Sequence, residues 1–253
     1  MSKEATPFRP APTSYSESLD RWTTPHAASD YPSKYGQSLR DRRELGCIRR
    51  FVESLAPNSR ILDLPCGTGR LTPLLLSRGL QVVGADGSEW MVNAAREQQH
   101  AHGDGVSAHS ANPVFEVREA LNTGYPKGAF DAIVCNRLFH HFREPETRTA
   151  VLKEFGRICR GPILVSFFNS FALDAFRVRM KHWIRGKVAT DRIPISLSTM
   201  RRDVGNAGMD VVAKLSVLWG LSPMCYLVLQ NRVPVVGEGS QSQARPSALS
   251  KAS

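Results

Sequence analysis

The stretch that most constrains the fold is residues 61–71, which read ILDLPCGTGRL. Its first four residues are mostly apolar and are typical of a short, buried parallel strand. Gly67 and Gly69 then permit a tight turn and let a ligand approach the backbone closely, and we expect a helix to begin at Arg70. A strand, a glycine turn and a helix together form the first half of a nucleotide-binding βαβ unit.

The acids around this turn narrow the choice of ligand. The next predicted strand, residues 81–85, ends at Asp86, where a carboxylate accepts hydrogen bonds from both hydroxyls of a ribose. A pyrophosphate dinucleotide favours G-x-G-x-x-G, but Thr72 stands in place of the third glycine. Asp63 also precedes the turn, where its carboxylate would repel a phosphate. The same carboxylate suits a ligand that carries an ammonium or a sulfonium.

The stretch resembles motif I of the class I S-adenosylmethionine-dependent methyltransferases, D-x-x-x-G-x-G, in their type 11/25-like domains. The resemblance covers residues 35–230. It implies an α/β fold with a Rossmann-like, doubly wound and mostly parallel sheet, helices on both faces and a C-terminal antiparallel hairpin. It also implies an enzyme that binds S-adenosyl-L-methionine, releases S-adenosyl-L-homocysteine and transfers the methyl group by in-line displacement.

The resemblance also implies which residues hold the cofactor. In the family, an acid after the third strand meets the adenine amino group, and the next backbone N–H meets a ring nitrogen. Residues after the second-strand acid flank the adenine, although Met91 and Trp90 are equally suited to the core. The predicted cofactor-binding residues are Asp63, Pro65, Cys66, Gly67, Thr68, Gly69, Asp86, Gly87, Met91, Glu119, Ala120 and Asn136.

The loop after the predicted strand 130–135 carries the candidate catalytic residues. Ligands of open parallel sheets bind beyond the carboxyl ends of the strands, so we expect NRLFHHF at residues 136–142 to line the active site. His140 and His141 are the candidate general bases, because imidazole titrates near neutral pH. Consecutive side chains point apart, and we prefer His141; the alternative is a histidine that caps or packs against the following helix. Asn136 is not followed by P-P-Y, which argues against methylation of nucleobase amino groups or glutamine.

Composition divides the chain into a domain with two flanking segments. We predict a disordered arm over residues 1–34, a methyltransferase domain over residues 35–232 and a disordered polar tail over residues 233–253. Within the domain, residues 170–210 form a basic helical insertion or lid. Its amphipathic part, residues 172–187, suits an anionic substrate, an acidic membrane surface, or simple packing with solvated charges.

Charge and cysteine content limit the partners. Lysine and arginine number 33 against 23 acids, a net charge of +10, which favours an anionic partner. No apolar run reaches the roughly 20 residues of a transmembrane segment, and the N-terminus has no apolar signal region. The five cysteines form neither a C-x-x-C pair nor a zinc pattern, and the histidines in residues 98–112 lie on an expected polar loop. We therefore expect a cytoplasmic protein without a bound metal.

The leading hypothesis is methyl transfer to a small-molecule or lipid-like, anionic acceptor, with peripheral membrane contact left open. RNA is the second acceptor class, since the chain is basic, but it shows no appended RNA-binding module. A nicotinamide oxidoreductase is the third hypothesis, and a non-catalytic protein that binds S-adenosylmethionine is the fourth. The sequence leaves open the acceptor atom and the oligomeric state.

Overall fold

The computed structural model describes residues 13–24, 39–102, 112–170, 193–216 and 224–232. The predicted basic helix at residues 172–187 and the tail at residues 233–253 lie outside the described residues. Most of the arm at residues 1–34 also lies outside them.

Seven described strands form one sheet in the order β3-β2-β1-β4-β5-β7-β6. Strands β1 to β5 are parallel, while β7 is antiparallel to both β5 and β6. The strands are β1 (Arg60–Asp63), β2 (Gln81–Asp86), β3 (Val114–Val117), β4 (Ala132–Cys135), β5 (Ile163–Phe168), β6 (Met209–Ser216) and β7 (Met224–Asn231). From β1 the chain adds β2 and β3 on one side of the sheet, and it then adds β4 and β5 on the other side. In open sheets of this kind the ligand binds beyond the carboxyl ends of the two strands at which the direction changes, here β1 and β4. The predicted fold class is confirmed.

Helices cover both faces of the sheet. They are α1 (Ser14–Trp22), α2 (Leu39–Glu53), α3 (Thr72–Leu76), α4 (Glu89–His102), α5 (Pro145–Ile158) and α6 (Leu197–Asn206), with a 3-10 turn at Phe139–His141. The apolar sides of α2 and α3 pack on one face, and those of α5 and α6 on the other.

Helix α2 shows why these segments fold as they do. Ile48, Phe51 and Val52 recur at helical spacing, and each is at most 3% exposed. The intervening Arg49 and Arg50 are exposed. The hydrophobic stripe therefore fixes how α2 lies on the sheet and which of its residues face solvent.

Two expectations about local structure were wrong. The arm predicted as disordered contains helix α1, which Thr13 caps by accepting a hydrogen bond from the Ser16 N–H. Helix α4 runs to His102, so the first residues of the predicted loop at 98–112 are helical, and His100 is exposed on that helix. The loop was predicted from the polar composition of these residues, but their helix propensity allows α4 to continue through them.

Three further features of the described residues bear on metals, membranes and redox state. None of these residues form a group of three or more His, Cys, Asp or Glu side chains that could hold a metal ion. None of their helices combines the length and the apolarity needed to cross a bilayer. All five cysteines are buried thiols.

Candidate functional site

The glycine turn lies above the crevice between β1 and β4. Gly67 and Gly69 have φ angles of 55° and 80°, a left-handed region in which glycine is favoured. A Cβ added to Gly69 would also lie 3.3 Å from the Cβ of Ala95 on α4. The turn therefore brings the backbone close to α4, and its Gly69 N–H is used within the turn, donating to the Cys66 carbonyl oxygen at 3.0 Å.

Asp86 ties this turn to the loop after β2. Its Oδ2 accepts a hydrogen bond from Gly67 N at 2.9 Å, and its Oδ1 accepts one from Ser88 N at 3.0 Å. Burial raises the pKa of Asp86 to about 6, although the two N–H donors oppose that shift. Each carboxylate oxygen retains capacity for another donor. The geometry therefore fits the hydroxyls of a ribose.

Asp63 and Arg70 are near enough for their charges to interact, and both have buried polar atoms without a hydrogen-bond partner among the described residues. Asp63 is fully buried, and neither carboxylate oxygen has a hydrogen-bond partner among the described residues. Both terminal nitrogens of Arg70 are likewise buried without a partner in this part of the chain. Burial raises the pKa of Asp63 to about 8, Arg70 lowers it and Asp86 raises it further. Buried groups of this kind are costly unless a ligand pairs with them.

These two side chains have complementary requirements. A carboxylate needs donors, and a guanidinium needs acceptors. An α-amino acid zwitterion supplies both, with its ammonium for Asp63 and its carboxylate for Arg70. The pair therefore fits the methionine part of S-adenosylmethionine.

Asn136 is held at the end of β4 by two hydroxyl groups. Its Oδ1 accepts hydrogen bonds from Ser166 Oγ at 3.2 Å and from Tyr226 Oη at 2.9 Å. Ser166 Oγ in turn accepts the N–H of Arg137 at 2.7 Å. Because its oxygen is used in this way, the Asn136 amide is fixed with its NH₂ group available as the donor.

Arg137 joins this loop to α2. Its guanidinium donates from Nε and Nη2 to Glu44 at 3.0 and 2.6 Å, and from Nη2 to Asp41 at 2.9 Å. Both carboxylates are buried, and Arg137 has a φ of 64°, which is uncommon outside glycine. Sequence reasoning missed this ion triad because its members are far apart in the chain.

The C-terminal half of α1 lies against the loop after β2. Ser88 Oγ donates a hydrogen bond to the carbonyl oxygen of Trp22 at 2.6 Å. A Cβ built on Gly87 would lie 2.5 Å from Leu19 Cδ1. Only a glycine at this position lets Leu19 pack so closely on the backbone.

The N-terminal half of α1 reaches the loops after β3 and β4. The Tyr15 ring lies 5.6 Å from the Phe142 ring, centroid to centroid. The Tyr15 hydroxyl lies near enough to the backbone N–H groups of Leu121 and Ala120 and to the Glu119 carboxylate for these groups to influence its ionisation. Burial, followed by Glu119, raises the pKa of Tyr15 to about 12, while the N–H groups lower it. Tyr15 therefore sits on the edge assigned to adenine.

The two candidate bases have different surroundings. His140 is 4% exposed, and its ring packs edge-on against Phe168 at 4.8 Å. His141 is half-buried, and its ring lies 6.2 Å from the ring of Trp22 on α1. His141 is therefore the more accessible of the two.

The remaining predicted cofactor residues divide between the turn and the core. Cys66 packs in a small buried cluster against α4, and Met91 is 2% exposed within α4. Thr68 is also buried, whereas Pro65 is half-buried beside the turn. Their contacts with a cofactor stay predictions.

The known proteins that this chain resembles include methyltransferases. A family model described as a methyltransferase domain matches residues 61–161. The magnesium-protoporphyrin O-methyltransferase of Rhodobacter capsulatus is 27% identical over 195 residues, which are 74% of this chain and 80% of that protein. The tRNA (carboxymethyluridine(34)-5-O)-methyltransferase alkbh8 of Xenopus tropicalis is 32% identical over 115 residues, or 45% of this chain. This match covers only 16% of the length of the Xenopus protein.

A solved structure has the same fold. Magnesium protoporphyrin IX methyltransferase (ChlM) from Synechocystis PCC 6803, crystallised with bound SAH, superposes with a TM-score of 0.67. The alignment covers 85% of this chain and 99% of that chain at 16% identity.

Proposed function

We propose that this chain is a class I S-adenosylmethionine-dependent methyltransferase and that it transfers a methyl group from that cofactor to an anionic small-molecule acceptor. The observation that carries the proposal is the buried Asp63–Arg70 pair, whose unsatisfied polar atoms suit an amino-acid zwitterion. Asp86 lies across the glycine turn from it and suits a ribose. When bound, S-adenosylmethionine supplies a methyl group on a positively charged sulfur.

Each residue of the crevice then has one role toward the cofactor. Asp63 accepts hydrogen bonds from the ammonium, and Arg70 donates to the carboxylate. Asp86 accepts the ribose hydroxyls. Glu119 and the N–H of Ala120 form the adenine-binding edge. Charge-assisted hydrogen bonds of this kind are about twice as strong as neutral ones, so Asp63 and Arg70 contribute much of the affinity.

The acceptor side combines positioning with a base. Holding two reactants in line while excluding water supplies much of the rate in such a transfer. We assign His141 to remove a proton from an acidic hydroxyl of the acceptor. His140, buried against Phe168, orients the loop. The net charge of +10 favours an anionic acceptor. The Rhodobacter relative, named for an O-methylation of magnesium-protoporphyrin, supports a small acceptor because most of both chains align.

The test begins with ligand binding. S-adenosylhomocysteine and S-adenosylmethionine should raise the melting temperature, because a ligand of the native state stabilises it, whereas NAD should not. Methyl-labelled cofactor is then incubated with a panel of carboxylated and phenolic molecules. His141→Gln should lower turnover while leaving cofactor affinity unchanged. His100→Gln, at an exposed position on α4, is the control and should leave both unchanged. A thermal response to NAD alone would overturn the proposal.

RNA is a second candidate acceptor because of the exposed face of α2. This face carries four exposed arginines for which the described residues provide no ion pair: Arg42, Arg43, Arg49 and Arg50. Arginine is well suited to phosphate, and the Xenopus relative is named for a tRNA substrate. Replacing all four by Gln should make tRNA binding less dependent on salt. The slope of log affinity against log salt concentration should become shallower by about 0.7 to 0.9 for each phosphate that is no longer bound. Arg157 and Arg160, which are exposed but paired, provide the control.

A further inference from the structure

We infer that α1 is an inhibitory gate, in which the Tyr15 side chain occupies the place of the adenine edge and must leave before the cofactor can bind. The inference rests on the proposed function, because it takes the loop after β3 as the adenine-binding edge. It adds regulation of that site by a segment of the same chain. Three separate observations support it.

The first is the matching chemistry of the two groups. Adenine presents an amino donor beside a ring-nitrogen acceptor, and a phenol combines a donor and an acceptor in one hydroxyl. Tyr15 packs against the core cluster that contains Ala120, and its hydroxyl lies near enough to the Glu119 carboxylate and the N–H groups of Ala120 and Leu121 for these groups to influence its ionisation. Adenine would use the same carboxylate and the same backbone donors. The two groups therefore compete for one set of partners.

The second observation is the space above the loop after β2. Leu19 lies so close to Gly87 that a Cβ there would be 2.5 Å from its Cδ1. Residues after the acid at the end of β2 are those expected to flank the adenine ring. A ring stacked on the Gly87 backbone cannot share that surface with the Leu19 methyl group. Leu19 thus keeps the adenine ring from stacking on Gly87, and Tyr15 keeps the edge of the ring from reaching Glu119 and Ala120.

The third observation concerns the strength of the polar contacts that hold α1. Its C-terminal end is held by the hydrogen bond from Ser88 Oγ to the Trp22 carbonyl. Near its N-terminal end, Ser14 bonds to Glu144, and Glu17 pairs with Arg143 at 3.2 Å on an exposed surface. Exposed ion pairs are weak, and a helix of nine residues is not stable alone. The helix can therefore release without unfolding the sheet.

The test measures S-adenosylhomocysteine binding by calorimetry and its association rate by stopped-flow fluorescence. Tyr15→Phe removes the competing hydroxyl but keeps the ring, so affinity should rise about three- to tenfold and association should quicken. Leu19→Ala should act in the same direction. Tyr125→Phe is the matched control, because it removes the hydroxyl of a buried tyrosine that bonds Glu116 outside the site. Its affinity should equal that of the unmodified protein.

Trp22 provides a direct readout of movement. Adenosine alone should change its fluorescence, homocysteine should not, and Trp22→Phe should abolish the adenosine response. If Tyr15→Phe binds equally or more weakly with an unchanged association rate, the gate is refuted. Tyr15 would then belong to a cover that closes on bound cofactor. If no variant binds S-adenosylhomocysteine, the proposed function falls together with the inference, whereas equal binding by all variants overturns the inference alone.

Discussion

Asp63 should make cofactor binding strongly dependent on pH. Its pKa is raised to about 8, chiefly by burial, so most molecules carry a neutral Asp63 at pH 7. Pairing with the cofactor ammonium requires the carboxylate. Binding at pH 7 should therefore release about 0.9 of a proton from this group.

The size of the effect follows from the pKa. Well below pH 8 the affinity should fall about tenfold for each pH unit. Half of the molecules carry the carboxylate at pH 8 and about one in a hundred at pH 6, so the loss between these pH values is about 50-fold, or roughly 2 kcal/mol. Above about pH 8 the α-amino group of the ligand begins to lose its own proton. The affinity for S-adenosylhomocysteine should therefore be greatest near pH 8.

The same pKa implies a cost in stability. The folded pKa of Asp63 lies above its unfolded value of 3.8, so between these two pH values the folded state binds more protons than the unfolded state. The free energy of unfolding therefore decreases as pH rises through that window. At pH 7 the accumulated loss is about 4 kcal/mol. Asp63→Asn should thus stabilise the ligand-free protein at pH 7 to 8.

The assay combines calorimetry with urea denaturation across pH 6 to 9. Titrations of S-adenosylhomocysteine in buffers with different ionisation enthalpies report proton release directly. Asp63→Asn should bind weakly, gain stability and lose the tenfold slope, leaving only the smaller titration of Asp86 near pH 6. A flat affinity profile in the unmodified protein, or an unchanged slope in Asp63→Asn, would refute the assignment.

Three further substitutions test other parts of the structure. Arg70→Gln should weaken S-adenosylhomocysteine about tenfold or more but leave adenosine binding unchanged, as measured by calorimetry. Asp86→Ala should weaken both ligands about 10- to 100-fold, because it loses the ribose contacts and the anchor of Gly67 N. Arg148→Met should lower the free energy of unfolding by about 3–5 kcal/mol in urea, because it leaves Asp203 buried without its partner. Replacing Asp203 by Leu in that variant should restore most of the loss.

The sheet and the glycine turn were predictable because their signals are local. Each parallel strand is a short apolar run, and Gly67 and Gly69 stand where the backbone adopts positive φ. Asp63 and Asp86 could be placed at the crevice from their positions at strand ends. The pairing of Asp86 with the turn itself was not evident, because it depends on how the two loops meet in space.

The contacts between distant segments were not predictable from composition. Arg137 reaches Glu44 across 93 positions of sequence, and neither residue stands in a motif. Helix α1 did leave a signal. Tyr15, Leu19 and Trp22 are spaced as i, i+4 and i+7, which favours an amphipathic helix within an otherwise polar arm. Its docking surface could be known only from the structure.

The distribution of buried charge separates the site from the rest of the described fold. Arg148 meets Asp203 in the core, and Arg137 meets two carboxylates of α2. Asp63 and Arg70 are near enough to influence each other, yet no hydrogen bond joins them or links either one's buried polar atoms to another described residue. Charges paired with good geometry are compatible with stability, whereas unsatisfied ones oppose folding and persist where a ligand offsets their cost. This contrast supports the proposal that the glycine turn binds the ligand, and it does so independently of the resemblance to any motif.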